Sequence, residues 1–298
     1  MRNAARIIAL LLVASMTPSA AFAWGFAGHR LIMRRAIELL PPELKPFYDR
    51  HRDELIVRAV DPDTWRNVFS EEDPNHFLDY GAKEYGALPF AELPRDRDAA
   101  IAKFGRATWR RNGTLPWRAN DFFGDLKSAF ENMKSGSAFA GENAILYSAA
   151  LSHYMQDANQ PFHATINFDG QLTGNNGIHG RFETGLVERF ESRLTISPAA
   201  PTPILNARDA AFDALLASYQ LVDRILQADR EAVSGKDTYD DDYFEKLFAR
   251  TRPILERRIA DSITATAAVL MGAWEKAGRP TLTIEGVRPA EKVKKPQP

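Results

Sequence analysis

Half of the six histidines lie in one stretch of 31 residues, together with acidic residues at a helical spacing. His153 and Asp157 are four positions apart, as are His179 and Glu183, and His163 lies between the two pairs. On a helix, residues four positions apart share one face. One such pair is most often an ordinary surface pair. Two pairs and a third histidine, in a chain without cysteine, predict a cluster of zinc or a similar borderline metal.

Residues 1–23 have the pattern of a secretory signal peptide. A basic start is followed by an apolar run at residues 7–14, which is too short to span a bilayer permanently. Ala-Phe-Ala at residues 21–23 matches the cleavage pattern. We therefore predict cleavage before Trp24 and export to the periplasm or the outside of the cell.

Two further segments carry possible metal ligands. Cleavage before Trp24 would expose an α-amino group, which titrates near pH 8 and can bind a metal when neutral, together with the Trp24 carbonyl. His29 follows five residues later. The alternative is an ordinary first residue. Asp61 and Asp63 precede His76, and taken alone the Asp-Pro-Asp sequence predicts a turn or a helix cap.

Together these residues resemble the zinc-dependent phospholipase C and S1/P1 nuclease superfamily. The resemblance rests on an ordered series of motifs that ends near residue 200. The motifs are Trp24-Gly-x-x-Gly-His29, His76-Phe-x-Asp79, Leu151-Ser-His-Tyr-Met-Gln-Asp-Ala-Asn-Gln-Pro-Phe-His163 and Gly177-Ile-His-Gly-Arg-Phe-Glu183.

The resemblance implies three zinc ions and assigns the ligands of each. They are an early aspartate, His76, His153 and Asp157 for the first ion; the Trp24 amine and carbonyl, His29 and a bridging Asp157 for the second; and His163, His179 and Glu183 for the third. Asp63 is the preferred early aspartate, because Asp63-x-x-Arg66 resembles the nuclease pattern. Asp61 remains open, since its spacing to the next histidine resembles that of the phospholipases.

The chemistry expected of such a centre is phosphodiester hydrolysis. Three Zn²⁺ carry more positive charge than three ligand carboxylates neutralise, which favours an anionic substrate. Two metals about 3.5–4 Å apart can hold a hydroxide at neutral pH for in-line attack on phosphorus. Asp63, as a metal ligand, and Arg66 are the predicted catalytic residues, with Arg66 binding a phosphate oxygen. The alternative for Arg66 is a surface ion pair with Glu71 or Glu72.

The sequence favours a nuclease over a phospholipase by a small margin. The motifs at residues 24–29 and 63–66 resemble the nuclease branch, whereas Glu183 as the last ligand resembles the phospholipase branch. The resemblance implies that Phe77 stacks on a base and that Asp79 hydrogen-bonds it. Such stacking is worth about 1–3 kcal/mol per base and tolerates any base. A core position is the alternative for Phe77.

A formal net charge of −1 argues against a broad basic surface that would grip duplex DNA. A nuclease would therefore act on single strands or short oligonucleotides. A phospholipase would need an amphipathic surface for membrane docking, and none is evident in the sequence. We predict a secreted zinc-dependent phosphodiesterase, with single-stranded nucleic acid as the favoured substrate and phospholipid as the alternative. A non-catalytic zinc-binding protein is a third hypothesis. No protein partner is evident, and a monomer is expected.

The elements that must position these residues are helices. Periodicity is clearest at residues 142–158, and residues 30–40, 207–228 and 243–274 show it as well, the last with a kink at Pro253. We predict an all-α fold with one multi-helix domain at residues 24–280 and the metal site at the end of the helical core. Residues 281–298 are predicted to be a disordered tail. Segments 79–94 and 165–177 are expected to form loops over the site.

Overall fold

The computed structural model of the chain describes residues 24–235 and 238–282. The predicted signal peptide and all but two residues of the predicted tail lie outside this part. Within it, the extended structure amounts to one isolated bridge between Tyr80 and Thr165, and the regular elements are helices. The prediction of an all-α fold is confirmed.

The α-helices in chain order are α1 (Gly25–Glu38), α2 (Lys45–Arg50), α3 (Arg52–Arg58), α4 (Asp61–Trp65), α5 (Arg97–Phe104), α6 (Arg106–Arg111), α7 (Leu115–Lys134), α8 (Ala140–Asp157), α9 (Ile178–Gly180), α10 (Leu186–Phe190), α11 (Ala207–Tyr219), α12 (Val222–Val233) and α13 (Asp241–Lys276). A π-helical turn at Arg181–Gly185 joins α9 to α10. Short 3₁₀ helices lie at Asp73–His76, Lys83–Tyr85, Pro161–Ala164 and Glu191–Arg193.

Helix α8 runs through the middle of the molecule. It packs against α7, α13, α3 and α1, and residues 148–160 are buried without interruption. A helix covered on all sides is normally apolar all round. The last two turns of α8 instead carry His153, Gln156 and Asp157 into the interior. The most deeply buried part of this helix therefore carries polar side chains, and this is where a buried polar site forms.

The helices expected from periodicity are present with shifted ends. The helix predicted at residues 207–228 is divided into α11 and α12, at a point with no Gly or Pro to mark the break. Helix α13 continues through Pro253. Helix α7, with Pro116 in its first turn, was not predicted from the sequence, although it is the main packing partner of α8. Among the described helices, none combines the length and apolarity that a membrane span requires.

Candidate metal centre

Three elements bring side chains to the last turns of α8. His153 and Asp157 of α8 meet His29 from α1, Asp63 from α4 and His76 from the 3₁₀ helix at Asp73–His76. Asp157 lies at the centre. Its Oδ1 is 3.4 Å from His29 Nε2, and its Oδ2 is 3.0 Å from His76 Nδ1 and 3.2 Å from His153 Nε2. All five side chains are buried.

Asp63 lies close to three histidines of this group. Its Oδ1 lies 3.8 Å from both His76 Nδ1 and His153 Nε2, and its Oδ2 lies 3.9 Å from His29 Nε2. Asp61, two residues earlier, is partly exposed and pairs with Arg58 at 3.4 Å. Of the two aspartates that the sequence left open, the structure brings Asp63 to the histidines.

A second group lies beside the first. His163 follows α8 in the 3₁₀ helix at Pro161–Ala164, and His179 and Glu183 come from α9 and the π-helical turn. His179 Nε2 is 3.0 Å from Glu183 Oε2, and the rings of His163 and His179 are 4.9 Å apart. His163 Nδ1 lies 3.9 Å from Asp157 Oδ2, so the two groups adjoin.

The donor atoms have the chemistry that zinc requires. Three sets of side chains place their nitrogen and oxygen atoms within 4.8 Å of one another; the sets are His29, His153 and Asp157; Asp63, His76 and His153; and His163, His179 and Glu183. Buried polar atoms normally have hydrogen-bond partners, and one without a partner costs about 1–3 kcal/mol. The buried atoms that lack one here include His29 Nε2, both Asp63 oxygens, Asp157 Oδ1, His163 Nε2, both His179 nitrogens and Glu183 Oε1. This concentration fits a bound cation.

Oxygen acceptors outside the centre fix how three histidine rings are turned. His29 Nδ1 lies 2.6 Å from Gln156 Oε1, His153 Nδ1 lies 2.9 Å from the Ala59 carbonyl, and His163 Nδ1 bonds the His76 carbonyl. An oxygen of this kind only accepts, so Nδ1 carries the proton and Nε2 is left for a metal. Metal-binding histidines usually make such outer hydrogen bonds.

Two glutamines with outer roles were not identified from the sequence. Gln156 orients His29, and Gln160 Nε2 donates to Glu183 Oε2 at 2.6 Å. The two glutamines are four residues apart, on either side of Asp157 in the sequence. This helical spacing next to a predicted ligand is the signal that could have indicated them.

Burial and mutual charge set the protonation of the centre. Burial lowers the pKa of His29 to about 3 and raises that of Asp63 to about 7. Burial also opposes the charged form of His153, but the carboxylates of Asp157 and Asp63 outweigh it and raise the His153 pKa to about 9. The carboxylates thus attract a positive charge to this position, and a metal cation would replace the proton of His153.

Trp24 is buried and contacts the second group through its backbone nitrogen. Its backbone N–H donates to Glu183 Oε2 at 3.0 Å, and its indole N–H donates to the Gln156 carbonyl at 2.9 Å. The sequence assigned Glu183 and Trp24 to different ions. The role of the Trp24 amine as a ligand stays a prediction, because in this chain the nitrogen is a peptide amide.

Arg66 lies at the edge of the centre. Its Nε donates to Asp73 Oδ1 at 2.6 Å, and its Nη1 is 3.8 Å from Asp63 Oδ1. The surface ion pair named as the alternative thus forms with Asp73, while Glu71 pairs with Arg110 and Glu72 pairs with Arg118. The predicted contact of Arg66 with phosphate stays a prediction.

The two predicted substrate-binding residues follow His76 directly. Phe77 is only partly buried and lies outside the core, so the core alternative is wrong. A Cβ on Gly113 would lie 2.2 Å from the Phe77 carbonyl oxygen, so glycine permits this close packing. Asp79 has an oxygen without a partner, and burial raises the pKa of its carboxyl to about 7.

The fold and the centre define a helical zinc-site protein, and comparison with known proteins identifies its family. A family model described as zinc dependent phospholipase C matches residues 28–246, and the chain belongs to this family. No curated protein matches. Among solved structures, the chain is similar to the alpha-toxin of Clostridium perfringens isolated from avian strain SWCP, with 13% identity and a TM-score of 0.46. The match covers 84% of this chain and 64% of the toxin chain.

Family membership confirms the superfamily that the motifs indicated and supports zinc as the metal. The matched region extends to residue 246, well past the last motif recognised in the sequence. The preference for a nuclease gains no support from the match, and the phospholipase alternative fits it better.

Proposed function

We propose that this protein is a zinc-dependent phosphodiester hydrolase of the phospholipase C type. The observation that carries the proposal is the family match over residues 28–246, which includes every ligand of the buried centre except Trp24. Three zinc ions are proposed; His153, which is common to two of the sets of donor atoms, is assigned to the ion of Asp63 and His76, and the Trp24 amine and carbonyl would complete the site of His29 and Asp157. The substrate class is a phospholipid whose head group is attached through a phosphodiester.

Some residues of the site would bind the metals, and others would bind the substrate. When bound, zinc ions activate water and neutralise charge on a phosphate. Asp157 contacts histidines of both groups and keeps them together. Arg66, at the edge of the centre, is placed to bind a phosphate oxygen. Asp79, with a pKa of about 7, can accept or donate a hydrogen bond to the substrate at neutral pH.

Single-stranded nucleic acid is the second candidate substrate. The partial exposure of Phe77 favours it, because an accessible ring can stack on a base. The neighbouring Asp79 Oδ1, which has no partner, can bond the edge of that base.

One comparison of substrates tests the proposal. Zinc-loaded protein that begins at Trp24 is assayed side by side on phosphatidylcholine vesicles, single-stranded DNA and RNA, with Asp157→Asn as the control for contaminating enzymes. We expect hydrolysis of phosphatidylcholine to dominate. Dominant hydrolysis of a nucleic acid would establish the nuclease instead, and no hydrolysis of any of the three would contradict a phosphodiesterase.

We also propose that the chain is exported and cleaved before Trp24. The pattern of residues 1–23 supports this, as does the burial of Trp24 beside Glu183. Protein that begins at Trp24 is compared with protein that carries one extra Met before it. The extra residue should weaken the binding of one zinc ion, and equal zinc content in both forms would exclude a terminal amine ligand.

A further inference from the structure

His76 is the one histidine of the first group whose outer nitrogen faces a carboxylate. Its Nδ1 faces Asp157 and His153. Its Nε2 is buried, has no hydrogen-bond partner and lies 3.7 Å from Glu72 Oε1. In His29 and His153 the outer nitrogen is Nδ1 instead, and it faces the Gln156 amide oxygen and the Ala59 carbonyl, respectively. The ring of His76 therefore spans the distance between the metal centre and Glu72.

Glu72 is held in place by three donors. The Tyr154 hydroxyl donates to Oε1, while Arg118 Nη2 at 3.0 Å and Asn75 Nδ2 at 3.1 Å donate to Oε2. A buried carboxylate is costly unless it is paired and hydrogen-bonded, and these contacts meet that requirement. Tyr154 follows His153 in α8, and its ring centre is 5.6 Å from that of His76.

Beyond Glu72 lies a cavity of about 600 Å³, lined among others by Arg118, Trp109, Trp117 and Phe69. Glu72 forms part of the wall between this cavity and His76. Arg118 is half-buried at the cavity, with its guanidinium 4.7 Å from the ring centre of Phe122. The carboxylate is thus fixed from the cavity side and faces the metal ligand on the other side.

We propose that Glu72 is a positioning residue that accepts the Nε2–H of His76. This hydrogen bond would keep the proton on Nε2 and leave Nδ1 free for the ion that Asp63, His76 and His153 would hold. The negative charge also makes Nδ1 a stronger donor, as carboxylates do for metal-bound histidines in general. The inference rests on the zinc centre of the proposed function but not on the identity of the substrate.

The test is zinc affinity in Glu72→Gln, measured by competition with a chelator. Gln keeps the shape of the side chain and removes its charge. We expect the affinity for one zinc ion to fall about 10–100-fold, the usual effect of losing such an outer partner, while the other ions stay bound. Glu71→Gln is the matched control, because Glu71 is exposed and pairs with Arg110 away from the centre. Equal zinc affinity in Glu72→Gln and the parent protein would overturn the inference.

A spectroscopic readout separates positioning from folding. In the zinc-loaded parent protein, the His76 Nε2–H should give a slowly exchanging signal in ¹⁵N NMR, and Glu72→Gln should shift it and speed its exchange. An unchanged signal would also overturn the inference. If Glu72→Gln fails to fold, Tyr154→Phe decides: it retains the carboxylate but removes one donor, and zinc affinity should fall a few-fold, whereas an unchanged affinity counts against the inference.

Failure of the inference and failure of the proposed function give different results. Reduced zinc affinity in Glu72→Gln, in a protein inactive on all three substrates, leaves the inference standing and removes the phosphodiesterase. Unchanged zinc affinity in a protein that hydrolyses phosphatidylcholine does the reverse.

Discussion

Residues 179–183 contribute side chains to two buried polar groups, the metal centre and a network around Asp229. The two groups differ in how many of their polar atoms have hydrogen-bond partners. In the motif from His179 to Glu183, the two end residues face the centre, whereas Arg181 points the other way and pairs with Asp229 at 3.1 Å. The centre contains many buried atoms without partners. In the Asp229 network, both carboxylate oxygens and all three guanidinium nitrogens of Arg181 make hydrogen bonds.

The Asp229 network holds one end of the π-helical turn. The Tyr243 hydroxyl and Arg181 donate to Asp229 Oδ1, and Asn175 Nδ2 donates to Oδ2 at 2.6 Å. The Tyr239 ring covers the guanidinium, with its centre 3.8 Å from Arg181 Cζ. A buried charge with all its bonds made serves the fold, whereas a group of buried atoms without partners indicates a ligand. The contrast separates structural from functional polar residues within one motif.

The largest effect should come from breaking the centre at Asp157. Asp157→Asn keeps the shape of the side chain but removes the charge that lies within 4 Å of four histidines. We expect hydrolysis to fall at least about 1,000-fold, equivalent to about 4 kcal/mol, and more than one zinc ion to be lost. Rate assays and metal analysis by mass spectrometry measure both quantities. Unchanged hydrolysis with full zinc content would refute a shared ligand.

Breaking the network should affect stability instead of metal binding. Asp229→Asn leaves the guanidinium of Arg181 buried without its counter-charge, and breaking a buried pair in this way costs about 3–5 kcal/mol. We expect a loss near 3 kcal/mol in urea unfolding of the zinc-free protein, because Asn keeps some hydrogen bonds. The folded variant should keep its zinc. Unfolding at the parental urea concentration would show that the pair contributes no net stability.

Removal of zinc should have a smaller effect on stability for each ion lost. A ligand at 100 times its dissociation constant stabilises a protein by about 2.7 kcal/mol for each site, and a continuous hydrophobic core extends from Trp24 to Leu282. We expect chelation to lower the melting temperature by several degrees for each ion and to leave helical circular dichroism intact at 25 °C. Complete unfolding on chelation would mean that the centre, and not only the network, holds the fold together.

The sequence indicated the residues of the centre because histidine is rare in this chain and the motifs appear in order. The same approach predicted α8 well, since its periodic face includes His153 and Asp157. It did not indicate Glu72, Gln156 or Gln160. Their roles depend on which nitrogen of a neighbouring ring faces inward, and that orientation comes from tertiary packing rather than from spacing.

Two features of the fold also could not be predicted from the sequence. The break between α11 and α12 has no Gly or Pro, so packing of separate helices decides it rather than local propensity. Arg181 lies between two predicted ligands and resembles a site residue in the motif. Its contact with Asp229, 48 positions away, assigns it to the fold, and a long-range partner of this kind leaves no local pattern.

The smallest effect should come from substitution of Asp61. This residue lies only two positions from Asp63, so the pair compares a surface carboxylate with a buried one over the shortest distance in the sequence. Asp61 is 28% exposed and makes a surface pair with Arg58, whereas Asp63 is fully buried among the histidines. Exposed pairs contribute about 0–1 kcal/mol. Asp61→Asn should therefore keep full zinc content and rates within about two-fold of the parent.

Asp63→Asn is the matched variant, and it should lose one zinc ion and at least about 100-fold in rate, because a ligand matters more than its outer partner. Metal analysis and hydrolysis rates on the two variants, prepared together, decide between the aspartates. Zinc loss in Asp61→Asn with full zinc in Asp63→Asn would assign the ligand to the residue with the phospholipase spacing. That result would require α4 to turn by about half a helical turn from the arrangement seen here, since residues two apart on a helix point in nearly opposite directions.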